Sequence, residues 1–295
     1  MTIYSHSRLS TFEQCPFKFK LRYIDKIIPE IEPSIESHLG KTVHAVLEWL
    51  YLQIKESKPA PSIDDLISYY AKEWESRYKP GMVIVRNGLT AKDYFNKGVS
   101  FLLNYYQKHK PFDDNTLEVE KKIFIDLNGE GKYTIRGFID RLSYNPKYNE
   151  YEIHDYKTAN FLPTQEKMDQ DRQLALYAIA IKELFGDHKK VCLTWHYLAH
   201  DVKICSRRTT AQLDQLKQET IDLIKKIEAT TDFPTYVSKL CDWCEYKDMC
   251  PSWKVKNSSK DIQKKITVPY KIEDNLNEEE EKEIEREKGG ELDIW

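Results

Sequence analysis

Apolar residues recur along this chain with two different periods, one typical of helices and the other of strands. Before Pro111 they recur every three to four positions, which is the spacing of an amphipathic helix. The segment from Ser34 onward illustrates it, because Leu39, Val43 and Leu47 fall on one side of a helix. This period predicts four helices, over residues 7–23, 34–55, 62–78 and 90–109.

Beyond residue 116 the period shortens to two, which predicts strands. Strands are expected over 117–127, 133–142, 151–157, 191–198 and 202–206, and helices over 165–185 and 210–230. A loop rich in turn residues, Asn145-Pro146-Lys147-Tyr148-Asn149, joins the second and third strands into a hairpin. The chain is therefore predicted to be an α/β protein with a small mixed sheet flanked by helices and a helical N-terminal elaboration.

The hairpin brings charged residues together. Folded symmetrically about its loop, it places Asp140 opposite Asp155, with β-carbons about 5 Å apart. Lys157 follows Asp155 by two residues and therefore lies on the same face of its strand. Two carboxylates this close are costly unless a cation lies between them. The hairpin therefore predicts a metal site with a lysine beside it.

Composition narrows the class of protein. The 295 residues are 40% hydrophobic, enough for a substantial core. No run approaches 18 apolar residues and the N-terminus lacks a signal-peptide pattern, so we expect a cytoplasmic protein with no membrane association. The net charge is −3, but residues 271–295 hold 11 acidic and 4 basic residues, which leaves +4 on the other 270. A mildly basic body permits binding to nucleic acid.

Six cysteines in a chain of this class favour metal binding over disulfides. Four stand out by spacing: Cys15 far upstream, then Cys241, Cys244 and Cys250 in a CxxCxxxxxC pattern. Four thiolates can hold either zinc or a [4Fe–4S] cluster, and the spacing alone leaves both open.

Taken in order, these motifs resemble the PD-(D/E)xK nuclease superfamily, and within it the RecB-like branch of CRISPR-associated exonucleases, AddB-type subunits and exonuclease V-like proteins. The resemblance covers about residues 7–253 and ends on the three-cysteine cluster. The matching residues are Ser7-Arg8-Leu9, Phe12, Cys15-Pro16, Gly40-x3-His44, Gly137-Phe138-Ile139-Asp140-Arg141, Asp155-Tyr156-Lys157-Thr158 and Gln173-x3-Tyr177.

The resemblance implies a restriction-endonuclease-like core with a catalytic metal. His44, Asp140, Asp155 and the backbone carbonyl of Tyr156 would hold the metal, and Lys157 would position the attacking water and stabilise charge on the phosphate. Hard oxygen ligands suit Mg²⁺ or Mn²⁺, and the imidazole favours Mn²⁺.

Further residues gain a role from the resemblance. An acidic residue on the strand before the hairpin often assists the metal in this branch, and Glu120 is the candidate, with Glu118 two positions before it. Gln173 and Tyr177 share one face of a helix and would contact the DNA strand or orient the lysine.

Two arginines are candidate phosphate contacts. Arg141 directly follows the first predicted metal ligand, and Arg172 directly precedes the Gln-x3-Tyr pair.

The cysteine arrangement, one residue near the N-terminus and three near the C-terminus, resembles the members that carry a [4Fe–4S] cluster. Zinc is the alternative. The expected organisation is a helical region over 1–116, a nuclease core over 117–232, a cysteine segment over 233–254 that packs on the first helix, and a disordered acidic tail over 255–295.

The resemblance implies a metal-dependent deoxyribonuclease, expected to be an exonuclease acting on single-stranded DNA. No Walker motif is present, so a helicase partner would be a separate chain. One alternative is a DNA-processing factor of CRISPR adaptation that works with integration proteins. Another is a cluster-stabilised DNA-binding subunit of a helicase–nuclease complex. The acidic tail is a candidate docking segment for such partners.

Overall fold

A computed structural model describes residues 2–29, 34–56, 59–86 and 88–253 of the chain. The predicted acidic tail, 255–295, lies outside these described residues. The chain divides into two compact units. The first comprises residues 1–13 and 32–232, and the second comprises residues 14–31 and 233–295.

The N-terminal segment is more broken than predicted. It forms a short strand, β1 (Tyr4–Ser5), then α1 (His6–Gln14), α2 (Pro16–Phe19) and a π-helical turn over Lys20–Ile24. The single helix predicted over 7–23 is therefore wrong. Cys15 is extended, with φ −164° and ψ 107°, because the residue before a proline is driven away from helical geometry.

Three long helices of the first unit follow their predicted boundaries. They are α3 (Ile35–Lys55), α4 (Ile63–Arg77) and α5 (Ala91–His109). Each starts directly after a residue whose hydroxyl accepts a backbone N–H of the first turn, which stabilises a helix by about 1 kcal/mol; these residues are Ser34, Ser62 and Thr90. Their apolar faces meet in one core.

The sheet follows. Its remaining strands are β2 (Asn115–Asp126), β3 (Thr134–Asn145), β4 (Glu150–Lys157), β5 (Lys190–Tyr197) and β6 (Val202–Arg207). Helices α6 (Gln165–Asp169) and α7 (Arg172–Phe185) connect β4 to β5, and α8 (Thr210–Ala229) follows β6. Parallel pairs (β1–β3, β4–β5) and antiparallel pairs (β2–β3, β3–β4, β5–β6) both occur, which confirms the predicted mixed sheet.

Two departures from the predicted elements have simple causes. The helix predicted over 165–185 is two helices, because the Asp171 side chain accepts a hydrogen bond from Leu174 N and starts α7 anew. Strand β1 was not predicted, since a strand of two residues has no periodicity to detect.

A fork in the sheet opens at β3. Strand β2 pairs with β3 along its whole length and so occupies one edge. On the other edge β4 pairs with β3 from Arg141 to Asn145, while β1 pairs with Ile135 and Arg136. Residues between these two segments, including Asp140, therefore line a gap between strands of the same sheet.

The second unit joins two distant stretches of sequence. Phe17 N donates a hydrogen bond to Pro234 O at 3.1 Å, and Lys18 Nζ lies 2.8 Å from Glu245 Oε2. The Tyr246 hydroxyl donates to Ile27 O at 2.9 Å. Two short 3-10 helical segments, Lys239–Trp243 and Lys247–Met249, carry the cysteine cluster.

Every helix in the described part of the chain is too short or too polar to span a bilayer.

Candidate metal centre

The predicted hairpin register is confirmed. Arg141 pairs with His154 and Tyr144 with Tyr151, so the same register continued by one residue sets Asp140 opposite Asp155. The backbone ladder stops at Arg141, where the fork begins. Asp140 Oδ2 accepts a hydrogen bond from Tyr156 N at 3.0 Å, so the carboxylate takes the place of a backbone partner.

The α3 imidazole reaches this fork. His44 Nδ1 lies 3.4 Å from Asp140 Oδ2, and His44 Nε2 lies 2.7 Å from the Tyr156 carbonyl oxygen. Three of the predicted ligands, a histidine, a carboxylate and a backbone carbonyl, are thus brought together from α3, β3 and β4.

The structure separates Glu120 from Glu118. Glu120 lies opposite Asp140, since its neighbours Val119 and Lys121 pair with the residues on either side of it. Within the described stretches, His44, Glu120 and Asp140 form a group of possible ligands whose atoms all lie within 4.8 Å of one another. The φ angle of Glu120 is +48°, which is uncommon for a residue other than glycine.

Glu118 has a different environment. Its carboxylate contacts Lys55 Nζ at 2.7 Å and Lys121 Nζ at 3.4 Å, and its side chain is 40% exposed. It is therefore part of a surface charge cluster rather than of the fork.

Asp155 and Lys157 form a close pair on β4. Lys157 Nζ lies 3.0 Å from Asp155 Oδ1 and 2.7 Å from Oδ2. Asp155 is 5% exposed, so this carboxylate is balanced by the lysine in a largely dry environment.

Burial raises the pKa of two carboxyl groups in this region, those of Glu120 and Asp155. It raises the pKa of Glu120 to about 7, helped by the negative charges of Asp140 and Glu48. Burial also raises the pKa of Asp155 to about 6, although Lys157 opposes the shift. Both groups are therefore partly protonated near neutral pH in the metal-free protein, and a bound cation would favour their ionised forms.

Tyr177 packs directly against the hairpin. A β-carbon added at Gly137 would lie 2.2 Å from Tyr177 Cε1, so only glycine lets the α7 ring approach β3 this closely. Gln173 Nε2 lies 3.5 Å from the Tyr177 hydroxyl. The pair predicted from its spacing does meet on one face of α7, and its tyrosine is 5% exposed.

The prediction for Arg141 is wrong. Successive strand residues face opposite sides of a sheet, so Arg141 points away from the face of Asp140. It is 1% exposed, its Nε donates to the Tyr156 hydroxyl at 3.0 Å, and it forms an ion pair with Asp114. Its guanidinium also lies 4.1 Å from the centroid of the Tyr51 ring. Such a buried group cannot contact a phosphate.

Sequence reasoning missed the polar network around Arg141. The hydroxyls of Tyr51 and Tyr105 lie 2.7 Å apart, and the Tyr105 hydroxyl lies 3.2 Å from that of Tyr156. Two buried imidazoles, His154 and His196, are in contact at 3.0 Å nearby. The strand alternation around Asp155 was the available signal, since it assigns His154 and Tyr156 to the face opposite Asp155.

The four cysteines of the second unit line one cavity of about 60 Å³. Cys15, Cys241, Cys244 and Cys250 are all free thiols, and Ser238 N donates to Cys241 Sγ at 3.3 Å.

Comparison with known proteins decides the family. The family profile of the PD-(D/E)XK nuclease superfamily matches residues 3–251. The chain belongs to the PD-(D/E)XK nuclease superfamily. The mixed sheet with its flanking helices is accordingly a restriction-endonuclease-like core, as the motifs predicted.

The chain is also similar to two known proteins. One subunit of an ATP-dependent helicase/deoxyribonuclease from Carboxydothermus hydrogenoformans is 24% identical over 242 residues. The alignment covers 73% of this chain but 22% of that relative, so this chain is similar to one part of a much longer protein. A crystal structure of a protein described as a "putative exonuclease" from Eubacterium rectale aligns with a TM-score of 0.49 and 12% identity, covering 90% of this chain and 91% of that one.

The raised pKa values of this PD-(D/E)XK centre predict pH-dependent metal binding. Because Glu120 and Asp155 ionise at about 7 and about 6, protons compete with a cation for the fork below neutral pH. Mn²⁺ affinity is expected to rise between about pH 5 and about pH 8, with proton release on binding near pH 6. Calorimetric titration in buffers of different ionisation enthalpy measures that release.

The raised pKa values of Glu120 and Asp155 also make the stability of the folded protein depend on pH. The two carboxyl groups ionise less readily in the folded than in the unfolded chain, so ionisation lowers the stability of the metal-free protein as pH rises through this range. Mn²⁺ should therefore raise the unfolding temperature more at pH 8 than at pH 5. Equal stabilisation at both values would contradict the assigned ligands.

Proposed function

We propose that this chain is a divalent-metal-dependent deoxyribonuclease that degrades single-stranded DNA from an end. The observation that carries the proposal is the group of His44, Glu120 and Asp140, whose possible ligand atoms lie within 4.8 Å of one another. The Asp155–Lys157 pair lies on the neighbouring strand. A metal site with a charged lysine beside it is the arrangement that phosphodiester hydrolysis requires.

The metal would be held by His44, Asp140, Asp155 and the Tyr156 carbonyl, with Glu120 as a further carboxylate. Oxygen ligands suit Mg²⁺ or Mn²⁺, and the imidazole favours Mn²⁺. When bound, the metal neutralises phosphate oxygens and lowers the pKa of a water molecule. The hairpin register, which sets Asp155 opposite Asp140, supports this ligand set.

Lys157 acts as a donor of hydrogen bonds and positive charge. Burial favours its neutral form, but the Asp155 carboxylate outweighs that effect and raises the pKa of Lys157 above its ordinary value. The ammonium group at Nζ therefore stays protonated at neutral pH and can stabilise negative charge on a phosphate oxygen. In the metal-free centre, Glu120 has a pKa of about 7 and so exchanges its proton near neutral pH.

Gln173 and Tyr177 are positioning residues in this proposal. The Tyr177 ring packs on Gly137, three residues before Asp140, and so fixes β3 from the α7 side. Gln173 lies next to the Tyr177 hydroxyl, with its side chain part-buried on the same helix face.

Two glutamates on one strand provide a matched test of the site. Glu120→Gln is expected to lower the rate of DNA degradation by about 10- to 100-fold, because it removes a charge at the fork. Glu118→Gln should stay within about twofold of the parent, because Glu118 belongs to an exposed ion pair. Degradation of 5′- and 3′-labelled single- and double-stranded DNA, with Mn²⁺, Mg²⁺ or a chelator, measures both rates.

The same assay tests the finer parts of the proposal. Early release of the label from one end as short products identifies an exonuclease and its polarity. Labelled fragments of intermediate length from both end labels identify an endonuclease. Equal rates for Glu120→Gln and Glu118→Gln, or full activity with chelator, would contradict the metal mechanism.

The cysteine cavity is proposed to hold a [4Fe–4S] cluster. Its four thiols come from two distant stretches of sequence and line one space of about 60 Å³. The cluster would be held by Cys15, Cys241, Cys244 and Cys250, and would join the two segments of the second unit. Iron and sulfide analysis of anaerobically purified protein tests this, and one zinc per chain without iron would contradict it.

One comparison favours a role within a multi-subunit complex. The similarity to one subunit of a helicase/deoxyribonuclease supports a helicase as partner and DNA as substrate. Association with CRISPR integration proteins stays a prediction from the sequence.

A further inference from the structure

A second feature of the first unit lies beside the proposed lysine. A cavity of about 440 Å³ opens next to Lys157 in the region where β4 and β5 end. Its volume falls in the range of small-ligand sites, roughly 300–1,000 Å³. The residues around it are Lys157, Phe161, Pro163, Lys167, Met168, Gln170, Asp171, Arg172, Trp195 and Tyr197.

The cavity is lined by cationic side chains, two of which also form ion pairs, Lys157 with Asp155 and Arg172 with Glu13. Three of its side chains, those of Lys157, Lys167 and Arg172, are cations. Asp171 is the carboxylate among them, and its Oδ1 already accepts a hydrogen bond from Leu174 N at 3.0 Å. Arg172 Nε is buried and donates no hydrogen bond within the described residues, although the rest of the guanidinium contacts Glu13.

An aromatic ring at the rim is unusually exposed. Phe161, in the loop between β4 and α6, is 64% exposed, and Lys167 Nζ lies 5.2 Å from its ring centroid. Two further rings line the cavity, Trp195 and Tyr197 of β5, and Tyr197 pairs in register with Lys157. An exposed aromatic ring beside a lysine is the kind of surface on which single-stranded nucleic acid stacks.

We propose that this cavity binds one unpaired nucleotide of the DNA strand, next to the phosphate that meets Lys157. The base stacks on Phe161, and the backbone phosphate faces Lys167 and Arg172. The inference rests on the proposed nuclease function and adds to it a subsite that requires an unpaired base, since a base held in a duplex cannot present its face to the ring.

The test measures binding without cleavage. Fluorescence anisotropy gives the Kd of a short oligothymidylate and of the same oligonucleotide with a single abasic site, placed in turn at each position. Both are measured in the Asp140→Asn background without added divalent metal. The Asp140→Asn protein with no second substitution is expected to bind the intact strand about 5- to 100-fold more tightly than the strand with an abasic site at one particular position. Stacking of a base on an aromatic ring contributes this much.

Phe161→Ala should bring this base preference close to one, and Phe161→Trp should restore it. A matched control is Tyr148→Ala, because Tyr148 is also an exposed ring, 55% accessible, with Lys147 Nζ at 5.3 Å from its centroid. It lies in the loop at the other end of the hairpin and should leave the preference unchanged.

The outcomes separate the subsite from the nuclease. Equal loss of base preference in Phe161→Ala and Tyr148→Ala, or no preference in the parent background, overturns the nucleotide subsite. If the base preference is present but the protein with the natural Asp140 does not cleave DNA with Mn²⁺ or Mg²⁺, the subsite is supported and the nuclease proposal is contradicted.

Discussion

Replacement of Asp140 by asparagine is expected to slow DNA degradation by about a thousandfold while leaving the fold intact. The amide oxygen of asparagine can still accept the hydrogen bond from Tyr156 N that the carboxylate accepts at 3.0 Å. What is lost is the negative charge that lies 3.4 Å from His44 Nδ1 and opposite Glu120. The initial rate on end-labelled single-stranded DNA, with saturating Mn²⁺, measures the effect.

Asp126→Asn is the matched control for this substitution. Asp126 also lies near the end of a strand pairing with β3, and its Oδ2 accepts a backbone hydrogen bond, from Gly131 N at 2.6 Å. It is six residues along β2 from Glu120, roughly 20 Å away. Activity near that of the parent is expected for Asp126→Asn. If the two variants cleave at the same rate, the fork does not perform the chemistry.

Replacement of Arg141 by methionine is expected to lower the free energy of unfolding by about 3 kcal/mol and the unfolding temperature by about 6 to 12 °C. Methionine keeps much of the packing volume but donates no hydrogen bond to the Tyr156 hydroxyl and no charge to Asp114. The contact of the guanidinium with the Tyr51 ring is lost as well. Urea unfolding followed by circular dichroism measures the change.

Weaker Mn²⁺ binding should accompany the loss of stability. The Tyr156 side chain is held by Arg141, and the backbone of Tyr156 contacts both Asp140 and His44. Arg77→Met is the comparison, because Arg77 forms an i,i+4 ion pair with Glu73 and is 47% exposed. That pair is expected to contribute less than about 1 kcal/mol. Equal destabilisation by the two substitutions would contradict a structural role for Arg141.

The sequence contained enough to place the hairpin, because strand register follows from alternation and loop length together. The predicted opposition of Asp140 and Asp155 follows from those two properties alone. The helices α3, α4 and α5 were predictable for a similar reason, since each has both an apolar stripe and a capping hydroxyl. Local rules sufficed where local interactions determine the structure.

The rest depends on contacts between distant residues. Nothing near Arg141 in the sequence indicates that Tyr51 and Asp114 will enclose it, so a surface role was the natural expectation. The choice between Glu118 and Glu120 depends on distant partners, since Lys55 pairs with Glu118 while His44 and Asp140 lie beside Glu120. The cavity beside Lys157 draws on a loop, two helices and β5, which no motif connects.

The second unit is built from two stretches that are far apart in the sequence, and this affects when its parts are synthesised. Cys15 leaves the ribosome early, but its three partners follow only after residues 32–232 have been synthesised. At about 5–20 residues per second, that interval is roughly 10–40 s. The nuclease sheet is therefore translated in full before the four thiols can meet, and a chain released prematurely cannot complete the cysteine site. Only chains that extend as far as Cys250 therefore contain all four thiols.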